Sequence, residues 1–506
     1  MSMRHFSGVN RVLVFLALLP VVTARAEVRL PAIFGDHMIV QRDAPVHVWG
    51  TASPGEAVAV TFRGDRQRTV ADELGRWSLY LKAGGAGGPF QLEVQGTSRI
   101  VFEDVLAGDL WIASGQSNME FAVSKETFGG VVNEGEEIAA ARYPRIRQLD
   151  LKPRSSDSPQ DDITIRHPWT AVSPATAGDY SAVGYFFARD LQQHQDVSIG
   201  IIDATWGGTP AEAWTSLDAL SSDASLMPVF ARRASMMDEL STLQLQTKKA
   251  KADYDAAIAA GKPAPPLRWE PDPDSWKPAG LYNAMIAPLI PAAIKGVIWY
   301  QGESNSDADA NGLYARLFRT MIQDWRSHWG EGDFPFLFVQ IANWNPGELF
   351  PEVREAQRQT LDLKNTAMAV TIDVGDPEDI HPRNKQAVGL RLSLAARALA
   401  YGERIEYSGP LFREATADGS GLRLRFDHAE SGLISKNGEL KGFAVAGADA
   451  KYVSAQAQID GETIVVSAPA VSAPVYVRYG WAANPDCNLY NRADLPASPF
   501  QARILR

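Results

Sequence analysis

Hydrophobic and polar positions follow two different patterns along this chain. From residue 27 to about 105, and again from 401 to 506, short runs alternate apolar and polar residues between Gly, Pro and Asp turns, as in "VHVWG", "AVAVTF" and "LRLRF". A period of two with such turns is typical of small antiparallel β-domains. We therefore predict two flanking β-sandwich-like modules, one N-terminal and one C-terminal.

The middle of the chain, residues 106–400, carries nearly continuous apolar runs, each ending in a polar or Gly-rich turn. Helix-length stretches such as "SAVGYFFARDLQQH" lie between them. The five runs are "DLWIAS", "SIGIIDAT", "KGVIWY", "FPFLFVQIAN" and "AMAVTIDV". This pattern predicts an α/β domain with a parallel sheet covered on both faces, whose ligand site lies where the strands end. A charged helical stretch and a Pro-rich segment at about 218–280 predict a helical insertion.

The first 26 residues resemble a signal peptide, with basic residues, the apolar run "VLVFLALLPVV" and small residues before a cleavage site near Ala26. We expect an exported protein that is periplasmic or secreted. Its net charge is −11, and the excised segment carries three more arginines than acids, which gives −14. This charge opposes nucleic acid as a partner, and no later run is long enough to insert into a membrane. The single Cys487 excludes an intrachain disulfide.

Ser117 follows the first apolar run of the α/β domain, in "WIASGQSNMEF". A serine on a sharp turn between a strand and a helix can present its hydroxyl as a nucleophile, next to helix amides that stabilise an oxyanion. The alternative is a helix N-cap, a position that favours Ser. The second Gly of a Gly-x-Ser-x-Gly elbow is absent because Met119 stands there.

A serine nucleophile needs a base, and His381 is the histidine that follows a strand of the α/β domain. It lies in "DVGDPEDIHPRNK", with Asp379 two residues and Asp376 five residues before it. Either carboxylate could orient the imidazole, and a Ser-His dyad assisted by a backbone carbonyl is a third possibility. The alternative for His381 itself is an exposed loop histidine among acids.

Two further turns offer oxyanion donors or substrate-binding groups. The turn "WGGTP" supplies the amides of Gly207 and Gly208, and "QGESN" supplies the side chains of Gln301 and Glu303. Gln116 and Asn118, beside Ser117, are candidates for the same roles. The sequence contains no His-Glu-x-x-His motif and no clustered Cys/His spacing, so no metal site is predicted.

Four ordered blocks, "GQSNMEF", "WGGTPAEAW", "WYQGESN" and "DIHPRNKQAVGLRL", resemble the sialate O-acetylesterase family, a branch of the SGNH-type hydrolases. The opening and closing segments of the chain resemble that family too. The resemblance implies a flavodoxin-like α/β/α domain with Ser117 as nucleophile and His381 as base. Oxyanion donors would be the Ser117 amide, a glycine of 207–208, and Gln301 in place of the missing Asn of the third block. At position 378 the family's usual Asp is replaced by Glu.

The resemblance also implies a carbohydrate O-acetylesterase that needs no cofactor and acts on an O-acetylated carbohydrate through an acetyl-enzyme. Family members and related carbohydrate esterases deacetylate sialic acids or plant polysaccharides such as xylan and xyloglucan, and both substrate classes remain open. The aromatic residues Trp206, Trp214, Trp299, Tyr300 and Trp344 lie near predicted strand ends, and about two of them are expected to face a sugar. Arg354 or Arg383 could bind an anionic sugar. A non-catalytic glycan-binding protein is the weaker alternative, and a lipase-like esterase is disfavoured because the 218–280 insertion is too charged for a lid.

Overall fold

A computed structural model describes residues 27–263 and 272–504. The protein is a mixed α/β structure with a central mixed sheet and additional β-sheets at both ends of the chain. The predicted signal peptide and its cleavage site near Ala26 lie outside the described residues. Within the two described ranges, no helix is both long and apolar enough to cross a membrane.

The N-terminal strands build a small β-region around an apolar core. They are β1 (Ile39–Gln41), β2 (Val46–Thr51), β3 (Ala57–Phe62), β4 (Asp65–Val70), β5 (Arg76–Leu81), β6 (Gly87–Gln95) and β7 (Arg99–Gly115). β3 pairs with β4 and β6, β6 pairs with the first half of β7, and β2 and β5 form a separate ribbon. The alternation of buried and exposed residues along β5 follows the period of two that the sequence pattern predicts.

The middle of the chain alternates strands and helices. In order these are α1 (Ser117–Glu120), α2 (Glu134–Ala140), β8 (Tyr143–Leu151), β9 (Ile165–Val172), α3 (Ala182–Gln195), β10 (Ile199–Thr205), α4 (Leu217–Ser222), α5 (Pro228–Ala259), β11 (Gly296–Tyr300), α6 (Ala308–Trp329), β12 (Phe336–Val339), α7 (Phe350–Gln359), β13 (Thr366–Ala369) and α8 (Lys385–Leu399). The sheet order is β13-β12-β11-β7-β10-β8-β9, parallel except for β9.

Helices cover both faces of this sheet, which explains why its strands are apolar throughout. On β7, Trp111 and Ala113 pack with α3 and α8, whereas Ile112 faces the cluster that contains α6 and α7. The apolar cluster that contains Ile112, α6 and α7 also includes buried residues of the N-terminal β-region. The five predicted apolar runs are the strands β7, β10, β11, β12 and β13, and the hairpin of β8 and β9 was not predicted.

The C-terminal region, as far as it is described up to residue 504, contains ten strands in two four-stranded antiparallel sheets and one strand pair. They are β14 (Leu411–Asp418), β15 (Gly421–Asp427), β16 (Leu433–Ser435), β17 (Phe443–Ala446), β18 (Val453–Ser454), β19 (Gln456–Asp460), β20 (Thr463–Ser467), β21 (Tyr476–Tyr479), β22 (Leu489–Asn491) and β23 (Phe500–Arg503). Residues from both sheets, such as Leu424 and Val477, share one apolar cluster.

The predicted boundary between residues 105 and 106 falls inside β7. The first half of this strand pairs with β6, and the second half pairs with β10 and β11 in the central sheet. α4 and α5 lie within the stretch predicted as a helical insertion, at about 218–280. The division of the chain into domains remains a prediction, and β7 shows that the first two predicted units share a strand.

Candidate active site

Ser117 is the first residue of α1, directly after β7 ends at Gly115. Gly115 has a φ of 132°, and a Cβ there would lie 2.2 Å from the Tyr300 carbonyl oxygen of β11, so only glycine fits this close approach. The N-cap position belongs to Gln116, and the Ser117 hydroxyl caps no amide. The sharp turn therefore lifts Ser117 above the sheet edge and leaves its hydroxyl free for another partner.

That partner is His381, whose Nε2 lies 2.9 Å from the Ser117 Oγ. The two residues are 264 positions apart in sequence. They meet because β7 and β13 end at the same edge of the sheet, and Ser117 and His381 lie in the segments that follow these two strands. Phe121 and Phe128 flank the imidazole, with ring centroids 6.5 and 5.4 Å away. This geometry lets the imidazole accept the proton of the serine hydroxyl.

Asp379 is the carboxylate beside His381. Its Oδ1 lies 3.5 Å from the His381 Nδ1 and accepts the His381 backbone N–H at 2.9 Å, and its side chain is 57% exposed. Asp376 instead accepts the amide of Glu378, and the Glu378 carboxylate accepts a hydrogen bond from Asn345. Of the two predicted aspartates, only Asp379 reaches the imidazole, and its contact is long for a hydrogen bond.

The pH dependence of the reaction follows from the surroundings of His381. Burial lowers the pKa of His381, the positive charge of Lys385 lowers it further, and Asp379 opposes both effects. A general base must be neutral, so activity is lost as pH falls through this pKa. We expect the acid limb of kcat/KM below the ordinary histidine value of about 6.5. A profile from pH 4 to 9 tests this, and a limb at or above 6.5 would contradict it.

The glycine turn after β10 lies against the nucleophile, where a Cβ on Gly207 would be 3.3 Å from that of Ser117. The Gly207 amide donates to the Glu120 carboxylate at 2.7 Å. The amide of Gly208 has no acceptor among the described residues. The Ser117 amide starts α1 and therefore has no intrahelical acceptor. Of these three amides, those of Ser117 and Gly208 therefore have no protein acceptor in the described part of the chain, while that of Gly207 is occupied.

The turn after β11 is arranged differently from the prediction. The side-chain amide of Gln301 is fully buried and donates to the Thr209 carbonyl and to Asn305, away from the cavity. Glu303 does line the cavity, and burial raises the pKa of its carboxyl group. Glu303 of this turn thus lines the cavity, whereas Gln301 is not placed to contact an oxyanion.

Gln116 and Asn118 hold neighbouring turns together. The Gln116 Oε1 accepts the amides of Gly302 at 3.3 Å and Ser304 at 3.2 Å. Asn118 is 1% exposed and does not line the cavity. Behind it lies Lys385, fully buried, where burial lowers the pKa of its amine to about 7. The lysine was not predicted because a basic residue at a helix start is usually solvent-exposed.

A cavity of about 940 Å³ opens over Ser117 and His381, within the size range of small-molecule sites. Two of the five aromatic residues proposed from sequence, Trp206 and Trp344, line it. The other three, Trp214, Trp299 and Tyr300, are fully buried in the core. Trp276, which sequence analysis did not identify, also lines the cavity; its indole N–H donates to the Gly208 carbonyl at 2.7 Å.

The helix α5 helps to frame this cavity through Arg232. Its guanidinium stacks 4.5 Å from the Trp276 ring and donates to the Ser304 carbonyl at 2.9 Å. It also pairs with Glu212 at 2.5 Å and with Asp307. These contacts connect α5 to the turn after β11, so α5 supports one wall of the site.

Carboxylates outnumber cations among the cavity-lining side chains. Glu120, Glu303 and Asp307 line the cavity together with one guanidinium, that of Arg166, which lies 3.5 Å from Glu120 and 3.7 Å from Asp150. The two arginines considered from sequence lie elsewhere and donate to backbone carbonyls, Arg354 to Ile341 and Arg383 to Gly130. Neither Arg354 nor Arg383 lines the cavity.

The thiol of Cys487 lies outside this site. Burial raises its pKa to about 11, so little thiolate forms near neutral pH. Across residues 27–263 and 272–504, no cluster of three or more His, Cys, Asp or Glu side chains has a geometry that could hold a metal ion.

A hydroxyl paired with an imidazole, at the edge of a parallel sheet and next to free amides, is the arrangement of enzymes that cleave esters by acyl transfer. Comparison with known proteins narrows this class. The chain belongs to the sialate O-acetylesterase family. It is 31% identical to the sialate O-acetylesterase of Mus musculus, with 94% of both chains covered, and 30% identical to that of Homo sapiens, with 94% and 92% covered.

Two other comparisons agree with this assignment. Residues 265–400 match the family model for carbohydrate esterase, sialic acid-specific acetylesterase. Among solved structures, a carbohydrate acetylesterase from Xanthomonas citri is 40% identical over 94% of this chain and all of that chain, with a TM-score of 0.79.

Proposed function

We propose that this protein is a carbohydrate O-acetylesterase with Ser117 as nucleophile and His381 as general base. The observation that carries the proposal is the 2.9 Å contact between the Ser117 Oγ and the His381 Nε2, in the wall of a cavity large enough for a sugar. Membership of the sialate O-acetylesterase family supports the same activity.

The reaction has two steps. His381 takes the hydroxyl proton as the Ser117 Oγ attacks the acetyl carbonyl, and the amides of Ser117 and Gly208 stabilise the oxyanion. The sugar hydroxyl leaves with the proton that His381 returns, and a water activated by the same imidazole then releases acetate from the serine. Asp379 orients the imidazole through its contact with the His381 Nδ1.

We infer a flavodoxin-like SGNH core for the central sheet. Without the hairpin of β8 and β9, the remaining strands β7, β10, β11, β12 and β13 have the order 2-1-3-4-5, which is the flavodoxin-like arrangement. The shared apolar cluster of the two C-terminal sheets supports a β-sandwich-like module there. Export to the periplasm or beyond the cell remains a prediction from the first 26 residues.

We further propose that the preferred substrate is a neutral acetylated sugar, such as an oligomer of xylan or xyloglucan, and not a sialic acid. The support is the charge of the cavity wall. A sialic acid carries a carboxylate, whereas the wall presents Glu120, Glu303 and Asp307. Of the nearby guanidiniums, Arg232 is already paired with Asp307 and Glu212, and Arg166 already contacts two acids. Burying a further carboxylate there without a free cation is unfavourable. Trp206, Trp276 and Trp344 offer aromatic surface to a neutral sugar.

Acetate release from four substrates, measured side by side, tests both the esterase proposal and the neutral-substrate proposal. The substrates are acetylated xylo-oligosaccharides, acetylated xyloglucan oligosaccharides, 9-O-acetylated sialic acid and the methyl ester of that sialic acid, with Ser117→Ala protein as the blank. We expect kcat/KM at least about tenfold higher for the neutral oligosaccharides than for the free sialic acid, which corresponds to about 1.4 kcal/mol. The methyl ester should be cleaved faster than the free acid because its charge is removed.

Other results would change the assignment. Preference for the free sialic acid over its methyl ester would overturn the neutral-substrate proposal and leave the esterase proposal intact. Equal silence of the wild type and the Ser117→Ala protein on every substrate would favour the glycan-binding alternative.

A further inference from the structure

Asn118 lies behind the nucleophile, with every polar atom of its side chain engaged. Its Nδ2 donates to the Glu303 Oε1 at 2.7 Å and to the Ile380 carbonyl at 3.0 Å, and its Oδ1 accepts from the Lys385 Nζ at 2.5 Å. Because it is 1% exposed and absent from the cavity wall, Asn118 is not placed to touch substrate. Its role must be exerted through the residues it binds.

The orientation of this amide is fixed by its partners. The Ile380 carbonyl can only accept a hydrogen bond, so the NH₂ group must face it, and the same group then donates to Glu303. The remaining Oδ1 then requires a donor, which Lys385 supplies from a fully buried position between the rings of Phe121 and Tyr300, at 4.6 and 5.3 Å. A flipped amide would place its oxygen against the Ile380 carbonyl and its NH₂ group against the Lys385 amine, so neither group would have a compatible partner.

These bonds join three segments that carry the reaction: the turn after β7, the turn after β11 and the loop that contains His381. Ile380 immediately precedes His381, so the bond from Asn118 to its carbonyl fixes where the histidine backbone lies relative to Ser117. The other support of the imidazole is weak, since Asp379 is 3.5 Å from Nδ1 and more than half exposed. Two bonds hold the backbone here, the one from the His381 N–H to Asp379 and the one from Asn118 to the Ile380 carbonyl, and the second connects the histidine loop to the turn that carries Ser117.

We propose that Asn118, held in one orientation by Lys385, is the positioning residue that keeps His381 at hydrogen-bond distance from Ser117. This inference rests on the proposed function, because it assigns the pair Ser117 and His381 the catalytic roles. Asn118 would act on the rate of the chemical step and not on substrate binding.

Asn118→Asp is the first test. Aspartate has the same shape but no donor, so its oxygens would oppose the Ile380 carbonyl and the Glu303 carboxylate and push the histidine loop away. A displacement of about 1 Å can cost roughly 100-fold in rate, and we expect kcat to fall by about that factor. KM should change less than threefold because the residue does not line the cavity. Steady-state acetate release gives both constants.

Asn491→Asp is the matched control. Asn491 is fully buried in the C-terminal region, and its Nδ2 donates to the carbonyls of Ser408 at 2.8 Å and His428 at 3.1 Å. This substitution likewise places a carboxylate against two buried acceptors, here both backbone carbonyls, but far in the sequence from the reacting groups. We expect both variants to unfold at a lower temperature, and only Asn118→Asp to lose kcat.

Two further variants separate positioning from folding. In the double variant Asn118→Asp with Glu303→Gln, the glutamine amide can donate to the carboxylate introduced at position 118, which restores that link with donor and acceptor exchanged. The Ile380 carbonyl still has no donor, so thermal stability should recover and kcat should not. Lys385→Met removes a buried amine without adding a polar group, and it should lower kcat about tenfold with KM unchanged even if Asn118→Asp fails to fold.

The outcomes distinguish this inference from the proposed function. Activity retained by Ser117→Ala would overturn the proposed nucleophile, and the inference with it. Loss of activity in Ser117→Ala together with normal kcat in Asn118→Asp, or in Lys385→Met if the former does not fold, would overturn the inference alone. Recovery of kcat along with stability in the double variant would show that Asn118 only secures Glu303, and would also overturn it.

Discussion

Replacing Ser117 with alanine is expected to lower kcat for acetate release by about 10⁴-fold or more, with little change in folding. The hydroxyl is the only group at the sheet edge that contacts the His381 Nε2 among the described residues, so its removal leaves no nucleophile to form an acetyl-enzyme. Losses of this size are usual when the nucleophile of a serine hydrolase is removed, and the residual rate reflects substrate binding and oxyanion stabilisation. Acetate release by the wild type and by the variant, each followed over hours, gives the ratio of their kcat values.

Ser114→Ala is the control for this substitution. It removes a hydroxyl from the same strand, three residues earlier, which donates to the Ala204 carbonyl at 2.7 Å. The loss of a neutral hydrogen bond should lower the free energy of unfolding by about 1 kcal/mol while kcat stays within twofold. If Ser117→Ala kept more than a tenth of the wild-type rate, Ser117 would not be the nucleophile.

His381→Gln is expected to lower kcat by about 10⁴-fold, and adding Ser117→Ala to it should cause little further loss. Glutamine fills similar space, but it cannot accept and return a proton, so the serine hydroxyl keeps its high ordinary pKa and attacks poorly. Residues that act as a unit show such non-additive effects, because either substitution alone already stops the shared step. The measurement is kcat for both single variants and the double variant.

The control for the histidine is His428→Gln in the C-terminal region. His428 also contacts a carboxylate, with its Nδ1 2.7 Å from Glu406, but it lies outside the cavity wall. Its substitution should leave kcat unchanged. The double variant of Ser117 and His381 gives the contradicting outcome. If its fold-loss of kcat equalled the product of the two single fold-losses, the two residues would act independently and the assigned pairing would be incorrect.

Sequence analysis predicted the strands of the central sheet because they are apolar on both faces. It missed β8, where Arg147, Gln148 and Asp150 are buried yet polar. Arg147 donates to the carbonyls of His37 and Asp104, and Gln148 donates to Asp203, so tertiary partners satisfy these groups. A strand whose polar side chains find their partners far along the chain carries no apolar signal.

The candidate site was predictable where chemistry is concentrated in short motifs. Ser117 and His381 each follow a strand, and topology alone brings strand ends together. Gln301 illustrates the limit: it stands in the expected turn, but its amide is taken by Thr209 and Asn305, which only the packing reveals. Arg166 and Trp276 line the cavity without any local motif, because a long-range contact brings each of them there.

The position of β7 in the molecule also sets an order for folding. Synthesis completes this strand at Gly115, when its first half already has β6 to pair with, but its second half must wait for β10 and β11, which begin at Ile199 and Gly296. The long apolar end of β7 is thus made early and paired late, through contacts of high sequence separation that form slowly. β10 can cover one edge of this segment once Thr205 has emerged, but the other edge waits for β11, about 185 residues after Gly115, and until then it is open to aggregation and to chaperones.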